Sequence, residues 1–255
     1  MDRAASSTEP RPRARLALQG AAYYAILAVF GLGCLTWNPV ARVLCHALPR
    51  RAGARVGQFV IRAGFRALLG LTRGAGLFRL DLAALDALRD DASLVIAPNH
   101  PSLLDVVLIA SRLPRVVCIM KPSILDNPFL GGGARLAGYI RNDAPHVVVR
   151  RAARALAEGN QLLIFPEGTR TVREPVNAFR GGFAVMARRA GAPVQAVFIE
   201  GSSAFLHKGW PGFRRPSFPI SYRASLGQRF VVTSDTPAFI AELEAYYRRE
   251  LGLPA

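Results

Sequence analysis

Between Leu16 and Ala41 the chain carries no charged side chain, and this run limits what the start of the sequence can become. It contains Tyr23, Ile26, Leu27, Val29, Phe30, Leu32 and Trp37. A bilayer core takes about 20 apolar residues in a helix, so the run is long enough to span a membrane. A re-entrant or interfacial helix pair on one leaflet fits equally well. Arg11, Arg13 and Arg15 precede the run and Arg42, Arg50 and Arg51 follow it, so flanking charge gives no orientation. A cleaved signal peptide fits less well, because the run exceeds the usual leader core and no small-x-small site clearly follows. Residues 1–15 are polar, bear Arg and Pro, and read as a disordered basic tail.

The next segment adds a directional signal. Arg55, Arg62, Arg66 and Arg73 are spaced by seven, four and seven residues, which places all four within roughly 20° of one line on a helix. Val56, Val60, Ala63, Ala67, Leu68 and Leu71 fall on other faces. Such a helix suits a membrane interface with its cations toward phosphate; a helix packed on the domain with a solvated arginine edge is the alternative. Residues 16–75 are therefore expected to form membrane-associated helices. The whole chain has 33 Lys+Arg against 17 Asp+Glu, a net charge of +16 over 255 residues, which favours anionic partners. Membrane lipids or an acidic carrier fit that charge. Nucleic acid is not expected, since no base-reading or stacking element accompanies it. Three cysteines, Cys34, Cys45 and Cys118, form no CxxC pair, so a reduced compartment and no metal site are expected.

From residue 76 to residue 255 the texture is α/β. Strands are predicted at Phe78 to Leu82, Leu94 to Ala97, Arg115 to Met120, Gln161 to Phe165, Val194 to Ile199 and Arg229 to Thr233. Helices are predicted at Ala84 to Arg89, Leu103 to Leu113, Val147 to Glu158, Gly182 to Ala190 and Pro237 to Leu251. Alternation of this kind implies a central mixed sheet flanked by helices.

Two stretches carry chemistry. Asn99-His100-Pro101-Ser102-Leu103-Leu104-Asp105 lies where a strand gives way to a helix. Five positions along a continuous helix would turn His100 and Asp105 about 140° apart. With His100 outside the helix and Pro101 at its first position, the imidazole can fold back so that Asp105 accepts from one ring nitrogen. The other nitrogen is then a general base for a bound hydroxyl. A simple helix cap reads the same way in isolation. Ser102 is no hydrolase nucleophile, because the GxSxG elbow is missing. Amides after Pro101 could hold an oxyanion. The second stretch, Phe165-Pro166-Glu167-Gly168-Thr169-Arg170, also follows an apolar strand. Its glycine permits close backbone approach, its threonine adds a hydroxyl, and its arginine offers a fork for phosphate. Glu167 is expected to position an acceptor. A solvated polar turn is the alternative.

Together and in this order, the two stretches resemble the glycerolipid acyltransferase family, which includes the lysophosphatidic acid acyltransferases. Lys121 followed by Gly138-Tyr139-Ile140-Arg141 is similar to the family's second block, and Ala192-Pro193-Val194 to its fourth. The resemblance covers roughly residues 78–205. It implies an α/β domain with N-terminal helices on the membrane. It also implies transfer of a fatty acyl group from an acyl carrier protein or coenzyme A thioester to a lysophospholipid hydroxyl, with no cofactor. The acceptor would be 1-acylglycerol-3-phosphate, giving phosphatidic acid, at the cytoplasmic face of a bacterial inner membrane. Lyso-ornithine lipid is the alternative acceptor; a lipid-binding non-enzyme and a lipase-like hydrolase fit less well. Carried over by residue, His100 is the base and Asp105 its partner. Glu167, Gly168, Thr169 and Arg170 bind the acceptor, and Lys121 and Arg141 add charge for its phosphate. Ala196 and Thr171 depart from the family pattern, which bears on chain length and acceptor rather than on the reaction.

Overall fold

The computed structural model describes residues 13–129, 131–172, 175–212 and 214–252. Most of the expected tail, residues 1–12 with Arg11 among them, lies outside the described residues. Arg13 to Arg15, placed in that tail from sequence, instead form the first turn of a long helix. The order is α1 (Arg13–Ala47), α2 (Arg50–Gly74), β1 (Phe78–Asp81), a 3-10 helix (Ala83–Leu88), β2 (Leu94–Pro98), α3 (Asp105–Arg112), β3 (Val116–Met120), α4 (Pro122–Leu125), α5 (Gly131–Leu136) and β4 (Ile140–Arg141). There follow α6 (Pro145–Ala157), β5 (Gln161–Leu163), α7 (Gly182–Ala190), β6 (Val194–Gly201), β7 (Ile220–Phe230) and α8 (Thr236–Glu250).

One seven-stranded sheet runs β1-β7-β6-β2-β5-β3-β4. All pairings are parallel except β6 with β7, which is the mixed, helix-flanked sheet expected. β2 lies at its centre and is buried along its whole length. Its side chains alternate between layers. Leu94 and Ile96 join the core under α1, α2 and α3, whereas Val95 and Ala97 join the core with α6, α7 and α8. A strand covered on both faces reads as an unbroken apolar run, and Leu-Val-Ile-Ala is one. The hydroxyl of buried Tyr247 in α8 accepts from the Val197 N–H at 3.0 Å and donates to the Ala97 carbonyl, tying β2 to β6 just below His100.

The last strand differs from expectation. Only Arg229 and Phe230 of the run Arg229 to Thr233 lie in a strand, and β7 begins nine residues earlier at Ile220. Ile220, Tyr222 and Ala224 point inward between β1 and β6, alternating with exposed Ser221 and Arg223. Serine and arginine on the open face masked that two-residue period.

Helix α1 is long and apolar enough to cross a membrane, with 22% of its most apolar window buried inside the protein. Leu18, Val29, Leu32 and Val43 on it are exposed. Helix α2 packs on α1, α3 and α5, so it is part of the domain's surface layer. A Cβ added at Gly57 would lie 2.4 Å from the Ala137 nitrogen. That backbone contact accounts for a glycine that otherwise weakens the helix. Arg55, Arg66 and Arg73 are exposed along the helix edge, and Arg62 is half-buried.

Candidate active site

The C-terminal ends of β2, β5 and β6 open onto one corner of the sheet, where ligands gather in open α/β folds. His100 leaves β2 there, and Phe165 to Arg170 leave β5 beside it, because Leu94 to Ile96 pair with Gln161 to Leu163. The His100 Nδ1 and Asp105 Oδ2 are 2.9 Å apart. The same carboxylate oxygen accepts the Ser102 N–H at 2.9 Å. With Oδ2 acting as acceptor, the ring nitrogen facing it is the donor, which leaves the Nε2 lone pair free. The imidazole is 13% exposed and the carboxylate fully buried. Burial pushes the Asp105 carboxyl above its ordinary 3.8, against the opposing pull of the His100 hydrogen bond and charge and of the Ser102 N–H.

Pro101 is not at the first helical position. A turn over Ser102 to Leu104 intervenes and α3 begins at Asp105. This turn is what lets a five-residue spacing close. Its amides are engaged: Leu103 N–H donates to the Leu206 carbonyl at 3.1 Å, Leu104 N–H to the Ser102 hydroxyl at 3.2 Å, and Asp105 N–H to the Ser102 carbonyl at 3.3 Å. The expected oxyanion donors there are therefore committed elsewhere. The Ser102 hydroxyl is buried and donates to the Phe205 carbonyl at 3.0 Å, a structural use.

The second stretch grips the first. The His100 N–H donates to Glu167 Oε1 at 2.8 Å, and the His100 carbonyl accepts the Thr171 N–H at 2.7 Å. Glu167 also accepts from the Thr171 hydroxyl at 2.8 Å and from the Asn177 N–H at 2.8 Å. It is 1% exposed. Where an acceptor-positioning role is expected from sequence, the Glu167 carboxylate faces protein donors from both oxygens and holds the His100 main chain. The Phe165 ring lies stacked on the imidazole, centroids 3.7 Å apart and planes 16° from parallel.

The remaining expected ligands divide. Arg170 donates to the Leu206 and His207 carbonyls at 2.8 and 3.0 Å, so it fastens the loop after β6 rather than standing free. Arg141 is held by Asp126 at 2.7 Å and Asp143 at 2.8 Å. It also sits three strands from His100 in the sheet order β2-β5-β3-β4, about 14 Å at the usual strand spacing. Lys121, at the end of β3, is exposed. Gly168 adopts a φ of +68°, and a Cβ there would meet Arg180 Cδ at 2.7 Å, so only glycine suits the turn. Thr169 is half-buried beside it.

Sequence reasoning missed Phe165 as a ring support, Asn177 as a Glu167 donor, and Arg180, whose side chain crosses Gly168. It also missed the Asn99 side chain, whose amide donates to the Ile199 carbonyl at 3.0 Å and accepts its N–H at 2.7 Å. Only Phe165 and Asn99 had a usable signal, being immediate neighbours of the chemical residues. Within the loop from Phe205 to Arg215, of which Phe213 is outside the described residues, Phe205 packs on Tyr23 and Trp210. Arg215 donates to the Leu16 carbonyl at 2.6 Å.

The family described as Acyltransferase matches residues 79–200, the segment that carries β1 to β6 and both motifs. A 1-acyl-sn-glycerol-3-phosphate acyltransferase of Pseudomonas aeruginosa is 24% identical over 89% of this chain and 86% of its own. The beta 1-acyl-sn-glycerol-3-phosphate acyltransferase of Homo sapiens is 26% identical over 87% and 81%. A lyso-ornithine lipid O-acyltransferase of Pseudomonas aeruginosa is 35% identical over 40% of this chain and 41% of its own. The crystal structure of the 1-acyl-sn-glycerophosphate acyltransferase PlsC from Thermotoga maritima shares the fold, with a TM-score of 0.68 at 17% identity over 95% of this chain and 97% of that one. The chain is thus similar in sequence to glycerolipid acyltransferases along most of its length and shares a fold with one of them.

Because the folded state raises the Asp105 pKa, it holds the proton more tightly than the unfolded chain does. Stability therefore falls as pH rises from the unfolded value through the folded one, and the ionised group is a constant cost above that. Asp105→Asn should melt no lower than wild type at pH 7.5, while kcat drops by about 10²–10⁴-fold. Parallel melting and turnover measurements check this; retained turnover, or loss of both together, contradicts it.

Proposed function

We propose that this enzyme transfers a fatty acyl group from an acyl carrier protein or coenzyme A thioester to the free hydroxyl of 1-acylglycerol-3-phosphate, giving phosphatidic acid. The observation behind this reading is the half-enclosed imidazole, fixed by Asp105, Phe165 and Glu167, with one nitrogen left to act. His100 Nε2 takes the acceptor's hydroxyl proton as its oxygen attacks the thioester carbonyl carbon. The tetrahedral adduct collapses, the carbon–sulfur bond breaks, and the thiolate leaves with the proton returned from the imidazolium. A thioester is already activated, so alignment and proton transfer suffice without a covalent enzyme intermediate. Thr169 and the exposed Lys121 are the expected residues from the acceptor set that remain open to its phosphate, and Arg180 joins them.

An apolar chamber of about 340 Å³ lies between α1 and α2, bounded by Val106, beside Asp105, and by Met120, Phe65, Leu68 and Trp37. It suits an acyl chain whose carbonyl end reaches His100. Exposed leucines and valines of α1 face the bilayer in this reading, at the cytoplasmic leaflet of a bacterial inner membrane, where both lipid acceptor and soluble thioester are within reach. Acylation of lyso-ornithine lipid is the second reading, favoured by the 35% identity to an enzyme named for it.

Purified protein in detergent, given acyl-carrier-protein or coenzyme A thioesters and a panel of lysolipids, should form phosphatidic acid fastest. His100→Ala should reduce that rate by at least about 10²-fold. Preference for lyso-ornithine lipid selects the second reading, and free fatty acid with no acylated lipid contradicts both. A Cβ at Gly64, on the chamber wall, would meet nothing within 4 Å. Gly64→Leu should therefore shorten the acyl chains transferred without unfolding the protein; an unchanged chain-length distribution by mass spectrometry would place the chain elsewhere.

A further inference from the structure

Several arginines of this fold have carboxylates beside them. Arg135 and Arg141 share Asp126, Arg229 pairs with Asp91, and Arg248 with Glu244. One cluster differs. Arg62 and Arg66 of α2, Arg89 after the 3-10 helix, and Arg112 at the end of α3 come from three elements, and the charges of the other three all bear on Arg62. Asp86 is the one carboxylate bearing on Arg62 among the described residues. Arg112 already takes both its oxygens, Nε to Oδ1 at 2.9 Å and Nη2 to Oδ2. The half-buried Arg62 keeps its Nε enclosed without an acceptor.

Four guanidiniums against one carboxylate repel each other, and an enclosed N–H without an acceptor has lost its water. An arrangement so unfavourable by itself is what a site shaped for an absent anion looks like. The planar forks of arginine match phosphate oxygens. The cluster is separate from the catalytic pair: Arg112 is the last residue of α3 and Asp105 the first, about 10 Å apart along the helix. Beside it on α2, Phe59 is 68% exposed and Val56 36%. Cations next to exposed apolar side chains fit an amphiphile whose phosphate meets arginine and whose tail continues over Phe59.

We propose that Arg62, Arg66, Arg89 and Arg112 form a second, non-catalytic phosphate site that binds the headgroup of an anionic phospholipid at the seam of α2 and α3. The shared chemistry is a phosphate ester, and the other source is a soluble ester such as the ribose phosphate of coenzyme A. This goes beyond the acyl-transfer reading, and its readout is melting rather than turnover, so the two can fail independently.

The full chain in detergent is melted alone and with dihexanoyl phosphatidylglycerol, dihexanoyl phosphatidylcholine or adenosine 3′,5′-bisphosphate. Wild type and an Arg150→Gln/Arg151→Gln control on exposed positions of α6 should gain about 5 °C more with phosphatidylglycerol than with phosphatidylcholine. Arg62→Gln/Arg89→Gln should lose that gain, yet melt no lower than wild type without ligand, because it relieves repulsion. A gain with the bisphosphate alone, lost in the same variant, supports the site and assigns it to a soluble ester. The proposal is overturned if the variant keeps the wild-type response, if it melts lower without ligand, or if neither phosphate ester stabilises wild type.

Discussion

The main chain of His100 is held from both sides by one loop, its N–H by Glu167 and its carbonyl by the Thr171 N–H. A general base works only when its nitrogen stays within a few tenths of an ångström of its target. Residue 100 sits on a turn, the least rigid kind of segment in a fold. The sheet solves this by pairing β2 with β5, which sets a loop 67 residues away in sequence against the turn. Phe165 then covers one face of the ring and Asp105 takes one of its nitrogens. The ring, its main chain and its tautomer are thus fixed by Phe165, Glu167 and Thr171 of the loop after β5 and by Asp105 at the start of α3.

Two buried carboxylates divide this work. Asp105 faces the imidazole and can stabilise the imidazolium, while Glu167 faces backbone and hydroxyl donors. A carboxylate out of water is tolerated only when donors replace its hydration; Glu167 has them on both oxygens, whereas those of Asp105 all fall on Oδ2 and its Oδ1 is buried without one. The donors of Asp105 leave it with a pKa still above the ordinary range, so the fold gives up stability to keep it there, as functional sites commonly do.

The fold was largely legible because the sheet's central strand, buried on both faces, has to be an apolar run, and because turn residues separate the elements. β7 escaped because its polar face is open and its apolar face is built from Ile220, Tyr222 and Ala224, too mixed to stand out. In the site, His100 and Asp105 were legible from spacing, since a turn-then-helix geometry brings them together without any distant partner. The duties of Glu167 and Arg170 were not. Residue types announce what a side chain can bind, but whether it binds substrate or protein depends on which loops the sheet places beside it. Glu167 meets the His100 amide, and Arg170 meets the Leu206 and His207 carbonyls, only after β2, β5 and β6 have assembled. The α2 stripe was visible as a line of charge, whereas its meeting with Arg89 and Arg112 depends on tertiary packing.

The central claim is that the second motif holds the base in place. Kinetics of Glu167→Gln test it most directly, because glutamine keeps the size of the side chain but sets an N–H₂ against one of its donors. The account expects kcat to fall by about 10²-fold while KM for the lysolipid stays within about twofold. A raised KM for the lysolipid at unchanged kcat would contradict it and return Glu167 to the acceptor.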